Sequence, residues 1–161
     1  MARSDPEVSV QPPLLDRLID LEPSSNVEPP QSRAMAVRGL KDALRRDLEW
    51  LLNTRRTPRE IPKGCEELGR SVFAYGLPDL TSVSLHSYED EMHLLGLIEK
   101  AIATFEPRLV QVRVTPRGQL DRTERMLHFQ IDALLMVDPA PESISFDSVL
   151  NVDRGACEVK G

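Results

Sequence analysis

The residues of this chain that come closest to a chemical motif are a glutamate and an arginine on either side of a proline, Glu106, Pro107 and Arg108. A general acid needs a carboxyl group whose pKa is raised toward neutrality. An adjacent arginine generally pushes the pKa of a carboxylate the other way. No second carboxylate motif accompanies Glu106. The pattern therefore predicts a structural or interface ion pair at a rigid corner, and it argues against half of a glycosidase site.

The other reactive side chains lack the spacing of a catalytic or metal site. His86, His93 and His128 are scattered, and there is no CxxC or Cys/His cluster. Cys65 and Cys157 are expected to be free thiols, since a reducing cytoplasm disfavours a disulfide between them. Neither a nucleotide-binding glycine loop nor a GxSxG elbow is present. We therefore expect no enzyme, cofactor, metal or small-molecule substrate.

Composition predicts one cytoplasmic domain with an aliphatic core. The chain has 161 residues, of which 40% are hydrophobic but only 4% aromatic. No apolar run approaches the roughly 20 residues needed to cross a bilayer. The first residues also lack the apolar segment of a signal peptide. Both observations favour the cytoplasm and argue against membrane insertion.

Charge is distributed in blocks of alternating sign. The net charge is −6, yet residues 33–59 carry eight basic side chains against three acidic ones, and residues 60–107 carry three against nine. Separate basic and acidic surfaces suit docking to several protein partners. Alternatively, neighbouring blocks neutralise each other within the fold. Nucleic-acid binding is disfavoured, because the total is acidic and no aromatic residues are interleaved with the basic block.

Hydrophobic periodicity predicts a flexible N-terminal arm, residues 1–32, followed by a single domain, residues 33–161. Within the arm, apolar residues between Leu14 and Leu21 suggest a short amphipathic helix before a Pro/Ser-rich linker. Helices are expected at 34–54 and from the N-cap Ser87 to Glu106. Strands are expected around Val110–Val114 and at 126–137, 143–151 and 156–159. Helices first and strands last indicate an α+β fold with a small antiparallel sheet.

Two features within this framework stand out as sites for packing or docking. Trp50 lies roughly opposite the leucine stripe of the first long helix. Either another element of the chain, such as the N-terminal helix, covers its ring, which is the commoner arrangement, or a partner does. The second feature is a specified turn, with Gly76 free to take a positive φ and Pro78 fixing its own. It comprises Tyr75, Gly76, Leu77, Pro78 and Asp79.

Several segments together resemble the TssE family of type VI secretion baseplate subunits, which is similar to a phage baseplate wedge protein labelled "lysozyme-like". The resemblance covers about residues 12–152. Its segments are 14–18 (LLDRL), 44–55 (LRRDLEWLLNTR), 71–72 and 75–80 (SV and YGLPDL), and 105–109 (FEPRL). The triplet of Glu106, Pro107 and Arg108 matches the family's hallmark.

The resemblance implies a non-catalytic wedge component of a contractile-tail baseplate. Its partners would be other wedge subunits, sheath subunits and the spike hub, and its β-rich part would offer strands on which the first sheath ring assembles. Glu106, Arg108 and Trp50 are then expected at a partner interface. Two alternatives remain, a peptidoglycan hydrolase that uses Glu106 and a second carboxylate, and a cytoplasmic adaptor unrelated to secretion.

Overall fold

A computed structural model of the chain describes residues 13–19, 32–80, 87–118 and 125–161. It contains helices and a C-terminal antiparallel sheet, which confirms the predicted α+β fold. The helices are α1 Leu14–Leu18, α2 Arg33–Asn53 and α3 Tyr88–Phe105, and the strands are β1 Leu109–Pro116, β2 Met126–Leu135, β3 Glu142–Asn151 and β4 Ala156–Lys160. Two short 3-10 helices, Glu66–Arg70 and Val72–Ala74, lie between α2 and α3.

The four strands form an antiparallel meander in the order β1-β2-β3-β4. One face of the sheet is apolar because every second residue of β2 is buried there, and α3 packs near β1 while α2 packs near β4. The buried residues of β2 are Leu127, Phe129, Ile131, Ala133 and Leu135. This face and the leucine stripe of α2 close over one aliphatic core, as the composition predicts.

The long helices follow the periodicity of the sequence. In α2 the predicted stripe is buried from Val37 to Leu52. In α3 the side chain of Ser87 accepts a hydrogen bond from the backbone of Asp90, whose carboxylate accepts one from the backbone of Ser87 in return. This reciprocal capping box confirms Ser87 as the N-cap and begins the helix sharply.

Strand β1 departs from the simple alternation that its valines predict. A bulge shifts the register between Val110 and Arg113, and Gln111 adopts a φ of 53°. As a result Val114 is buried, whereas Val110 is 36% exposed. The alternation of Val110, Val112 and Val114 in the sequence therefore places only the last two against the core, because an extra residue in a strand turns the preceding side chain out of step.

Side chains from the helices occupy the outer edges of the sheet. At the β4 edge, the amide of Asn53 donates to the carbonyl oxygen of Cys157 and accepts from its N–H, each at 2.8 Å. At the β1 edge, the carboxylate of Glu99 accepts the N–H of Val114 at 2.9 Å. Pro116, at the end of β1, has no N–H to offer. Edge groups satisfied in this way can pair with another chain's strand only after the side chain is displaced.

The predicted turn at residues 75–79 ties the long α2–α3 connection to the end of α2. Gly76 has a φ of +99°, and a side chain there would place its Cβ 2.2 Å from the carbonyl oxygen of Thr54. Leu77 donates to that oxygen and accepts from the N–H of Arg56, both at 2.8 Å. Only glycine permits so close a backbone approach at this φ.

Both cysteines are free thiols in the structure; Cys65 is exposed and Cys157 is buried. Among the described helices, none is both long and apolar enough to cross a membrane.

Candidate functional site

The corner at Pro107 is held by backbone hydrogen bonds on both sides. Glu106 ends α3 and donates its N–H to the carbonyl of Ile102 at 2.9 Å, while its own carbonyl accepts from Leu109 at 3.1 Å. The carbonyl of Arg108 accepts from the backbone of Met136, just after β2, at 3.0 Å. Helix, corner and sheet are thereby joined, and the side chains of the corner project from a fixed backbone.

Glu106 and Arg108 form a two-pronged ion pair across the proline. The guanidinium Nε and a terminal nitrogen of Arg108 each donate to a different carboxylate oxygen of Glu106 at 2.5 Å. Glu106 is only 6% exposed. These bonds are the main reason that the pKa of Arg108 is raised, against the opposing effect of burial. Two hydrogen bonds to different oxygens of one carboxylate are the geometry of a structural ion pair.

The pair continues into a row of alternating charges that reaches α2 and then α1. Arg108 also donates to the carboxylate of Asp47 at 2.6 Å. Arg46 donates to the other oxygen of Asp47 at 3.0 Å and to Asp16 of α1 at 2.6 Å. We call these five residues, Glu106, Arg108, Asp47, Arg46 and Asp16, the ion ladder. The bond to Asp16 is the main cause of the raised pKa of Arg46.

Trp50 lies beside the ladder but is not covered by it. The guanidinium carbon of Arg46 sits 5.1 Å from the centre of the indole ring, within range of a cation–π contact. The side chain nevertheless remains 54% exposed. The expectation that another element of the chain buries the ring is therefore wrong for the described residues. Helix α1 reaches Arg46 through Asp16 and leaves the indole open.

Helix α1 is shorter than predicted, ending at Leu18, and its apolar side chains point to solvent. Leu14 is 72% exposed and Leu18 is 74% exposed, while the carboxylate of Asp16 is directed at Arg46. Among the described side chains of this helix, the polar Asp16 faces the domain and the leucines are exposed. Leu21, which the sequence assigns to the same helix, lies outside the described residues.

Tyr75 of the specified turn packs beside the corner. Its ring meets that of Phe105 edge-on, with centroids 5.3 Å apart. Burial, together with the nearby negative charges of Asp47 and Glu106, raises the pKa of Tyr75. The turn and the corner therefore form one packed unit. Within the described ranges, no group of three or more His, Cys, Asp or Glu side chains could hold a metal ion.

The structure brings Glu106 and Arg108 together and connects them to Trp50 through α2. The sequence interpretation missed Asp47, Arg46 and Asp16 as members of the same network. A signal was present, because all three lie in the segments 14–18 and 44–55. Those segments carry the resemblance to baseplate subunits, although nothing in their spacing indicates that they meet.

Comparison with protein-family models gives a match over most of the domain. The family model described as "Baseplate wedge protein gp25" matches residues 38–140, more than half of the chain. These residues include most of α2 and all of the turn, α3, the Pro107 corner, β1 and β2. A search of curated proteins found no match.

Proposed function

We propose that this chain, which belongs to the baseplate wedge protein gp25 family, is a structural subunit of a type VI secretion baseplate. In this role it joins other wedge subunits in the cytoplasm, helps to start the contractile sheath and catalyses no reaction. The observation that carries the proposal is the family match together with the ion ladder, which includes the Glu-Pro-Arg triplet at a rigid corner.

The surface that we assign to wedge partners surrounds the ion ladder. Leu14 and Leu18 of α1, Trp50 of α2 and the partly exposed guanidinium of Arg108 together form what we call the assembly face. Large apolar side chains held in solvent by a defined set of ion pairs are typical of an interaction site. Central aromatic and arginine side chains dominate the binding energy of many interfaces.

Within this face, Glu106 acts through Arg108. Its carboxylate is buried and fully engaged, so direct contact with a partner falls to Arg108, whose side chain is 27% exposed. A guanidinium fixed by two carboxylates has little rotational freedom left to lose, which lowers the entropy cost of a charged contact. We therefore place Arg108 and Trp50 in the interface and Glu106 behind it.

The C-terminal sheet supplies the second contact, with the sheath. Its meander presents β1 and β4 as edges, and strand addition at an edge is a general mode of recognition. Because Glu99 and Asn53 occupy groups on those edges, an incoming sheath strand has to displace one of them. The spike hub is a further partner in this proposal.

Trp50→Ala tests the wedge contact. We expect this variant to melt like the parent yet lose capture of co-expressed wedge subunits, because the ring is already half exposed. Tyr88→Ala is the matched control, since Tyr88 is 67% exposed and begins α3, about 25 Å from the corner at 1.5 Å per residue. In the parent, Trp50 is the only tryptophan, and its emission should shift to the blue on binding.

Equal capture by the Trp50→Ala and Tyr88→Ala variants would remove Trp50 from the interface. The hydrolase alternative has its own test, the release of soluble fragments from peptidoglycan by the purified chain. We expect no release, because Glu106 is held in an ion pair with Arg108. Turnover that disappears in Glu106→Gln would reverse the proposal.

A further inference from the structure

A cleft of about 580 Å³ opens where the connection between α2 and α3 folds back on itself, and it is distinct from the assembly face. Its size falls within the range of ligand-binding pockets in proteins. One wall consists of the extended segment that follows α2, and the other is provided by the second 3-10 helix and the turn. The side chains that matter here are Arg55, Arg56, Arg59, Ile61, Phe73 and Pro78.

Both walls are fixed. The backbone of Arg56 bonds to Leu77 at 2.8 Å, and Arg55 and Leu77 form an isolated parallel bridge. On the other wall, the hydroxyl of Ser71 accepts the N–H of Phe73 at 3.2 Å and donates to the carbonyl of Leu68 at 2.9 Å. The cleft is therefore preformed, which reduces the ordering cost of filling it.

Positive charge exceeds negative charge in the lining. Three arginines face two carboxylates, Glu60 and Asp79. Arg55 lies 3.8 Å from Asp79, and both side chains are more than half exposed. Arg56 and Arg59 are exposed and form no ion pair with any residue of the described ranges. Two guanidinium groups thus stand beside an apolar floor that includes Phe73 and Ile61, which is 40% exposed.

We propose that this cleft binds an extended acidic segment of a partner protein. One apolar side chain of that segment packs against Phe73 and Ile61, and its carboxylates pair with Arg56 and Arg59. Planar guanidinium groups bind carboxylates in two-pronged geometry. An apolar anchor flanked by charged contacts is how short segments gain both affinity and specificity.

Charge complementarity selects a protein segment over a nucleic acid. Single-stranded nucleic acid is bound by a continuous basic groove with several rings for base stacking. The lining offers one ring, Phe73, and two carboxylates that repel a phosphate backbone. The whole chain also carries a net charge of −6. The same charges also repel an acidic peptide, but such a peptide needs only one apolar contact and partners for a few carboxylates, which the lining supplies.

Selection of phage-displayed random peptides on the full chain tests the proposal. A length of about 12 residues, roughly 40 Å when extended, exceeds the cleft and lets a peptide bind in any register. We expect enriched peptides to carry an aromatic or aliphatic residue beside aspartate or glutamate. Fluorescence anisotropy then measures one enriched peptide against the Arg56→Gln, Arg59→Gln double variant. Each lost arginine should weaken binding about tenfold at low salt, and added salt should weaken parental binding.

The matched control is the Arg38→Gln, Lys41→Gln double variant, which removes the same net charge. Both control positions lie on α2, Arg38 about 22 Å along the helix from its end at Asn53. We expect the control to bind the peptide like the parent. Phe73→Ala should also weaken binding, and thermal melting of every variant separates a lost contact from a lost fold.

Four results would each overturn the proposal. Enriched peptides could lack acidic residues, or they could bind the Arg56→Gln, Arg59→Gln variant as well as the parent. A thymidine oligonucleotide could compete fully with the peptide for the cleft, which would indicate a nucleic-acid site. Finally, occupancy of the cleft by a second copy of the chain would appear as a dimer that the same double variant converts to monomer.

Discussion

Replacing Glu106 by alanine should destabilise the domain by about 2–3 kcal/mol. Removing one partner of a buried ion pair typically costs about 3–5 kcal/mol, because the other charge is left without compensation. Here Arg108 keeps its bond to Asp47 at 2.6 Å, and its side chain is 27% exposed. We therefore expect a loss of stability at or below about 3 kcal/mol, the lower end of that range. For a domain of this size, about 2–3 kcal/mol corresponds to a melting temperature lower by roughly 5–10 °C.

Thermal and urea unfolding followed by circular dichroism measure this effect. Glu142→Ala is the control, because Glu142 is one-third exposed and its contacts with Arg33 and Lys41, at 3.8 and 3.7 Å, are those of a surface pair. Loss of a pair of that kind costs about 1 kcal/mol or less. If Glu106→Ala melts within a degree or two of the Glu142→Ala control, the buried-pair reasoning is wrong and Glu106 has no structural role.

Three further substitutions or labelling experiments probe the sheet edge, the turn and the core. Asn53→Ala removes both bonds to the β4 edge and should cost about 2 kcal/mol, with self-association visible by sedimentation. Gly76→Ala should cost about 2 kcal/mol or more because its Cβ meets a backbone oxygen, whereas Gly39→Ala, with nothing within 4 Å in mid-helix, should stabilise by about 1 kcal/mol. A thiol reagent at pH 8 should label Cys65 and spare Cys157, since burial raises the pKa of Cys157 to about 12; equal labelling rates would contradict this burial.

The periodic elements could be predicted from sequence because their signals are local. The leucine stripe of α2 and the capping box at Ser87 each involve residues a few positions apart, where the rules of helix geometry apply directly. The alternation in β2 likewise predicts which residues are buried. By contrast, three alternating valines look the same with or without a bulge, so the sequence offered no means of predicting the outward turn of Val110.

The candidate site could be predicted only in part, since its contacts span long separations along the chain. Glu106 and Arg108 are two residues apart, and their pairing follows from their proximity. Arg108 and Asp47 are separated by 61 positions, and Arg46 and Asp16 by 30. No periodicity links such residues. The exposure of Trp50 could not be predicted for the same reason, because it depends on where α1 lies and not on the helix that carries the ring.

The side chain of Asn53 binds the β4 edge as a neighbouring strand would, because its amide presents the same donor and acceptor as a peptide unit. A strand that replaces it at Cys157 exchanges two hydrogen bonds for two others, so the exchange itself gains almost nothing. Two free copies of the chain that collide at that edge therefore gain little binding free energy from pairing there. A protein already bound through another surface has already lost its translational and rotational freedom. Its strand therefore competes with the Asn53 side chain at a high effective concentration. Docking first and strand exchange second is the order that this single side chain favours.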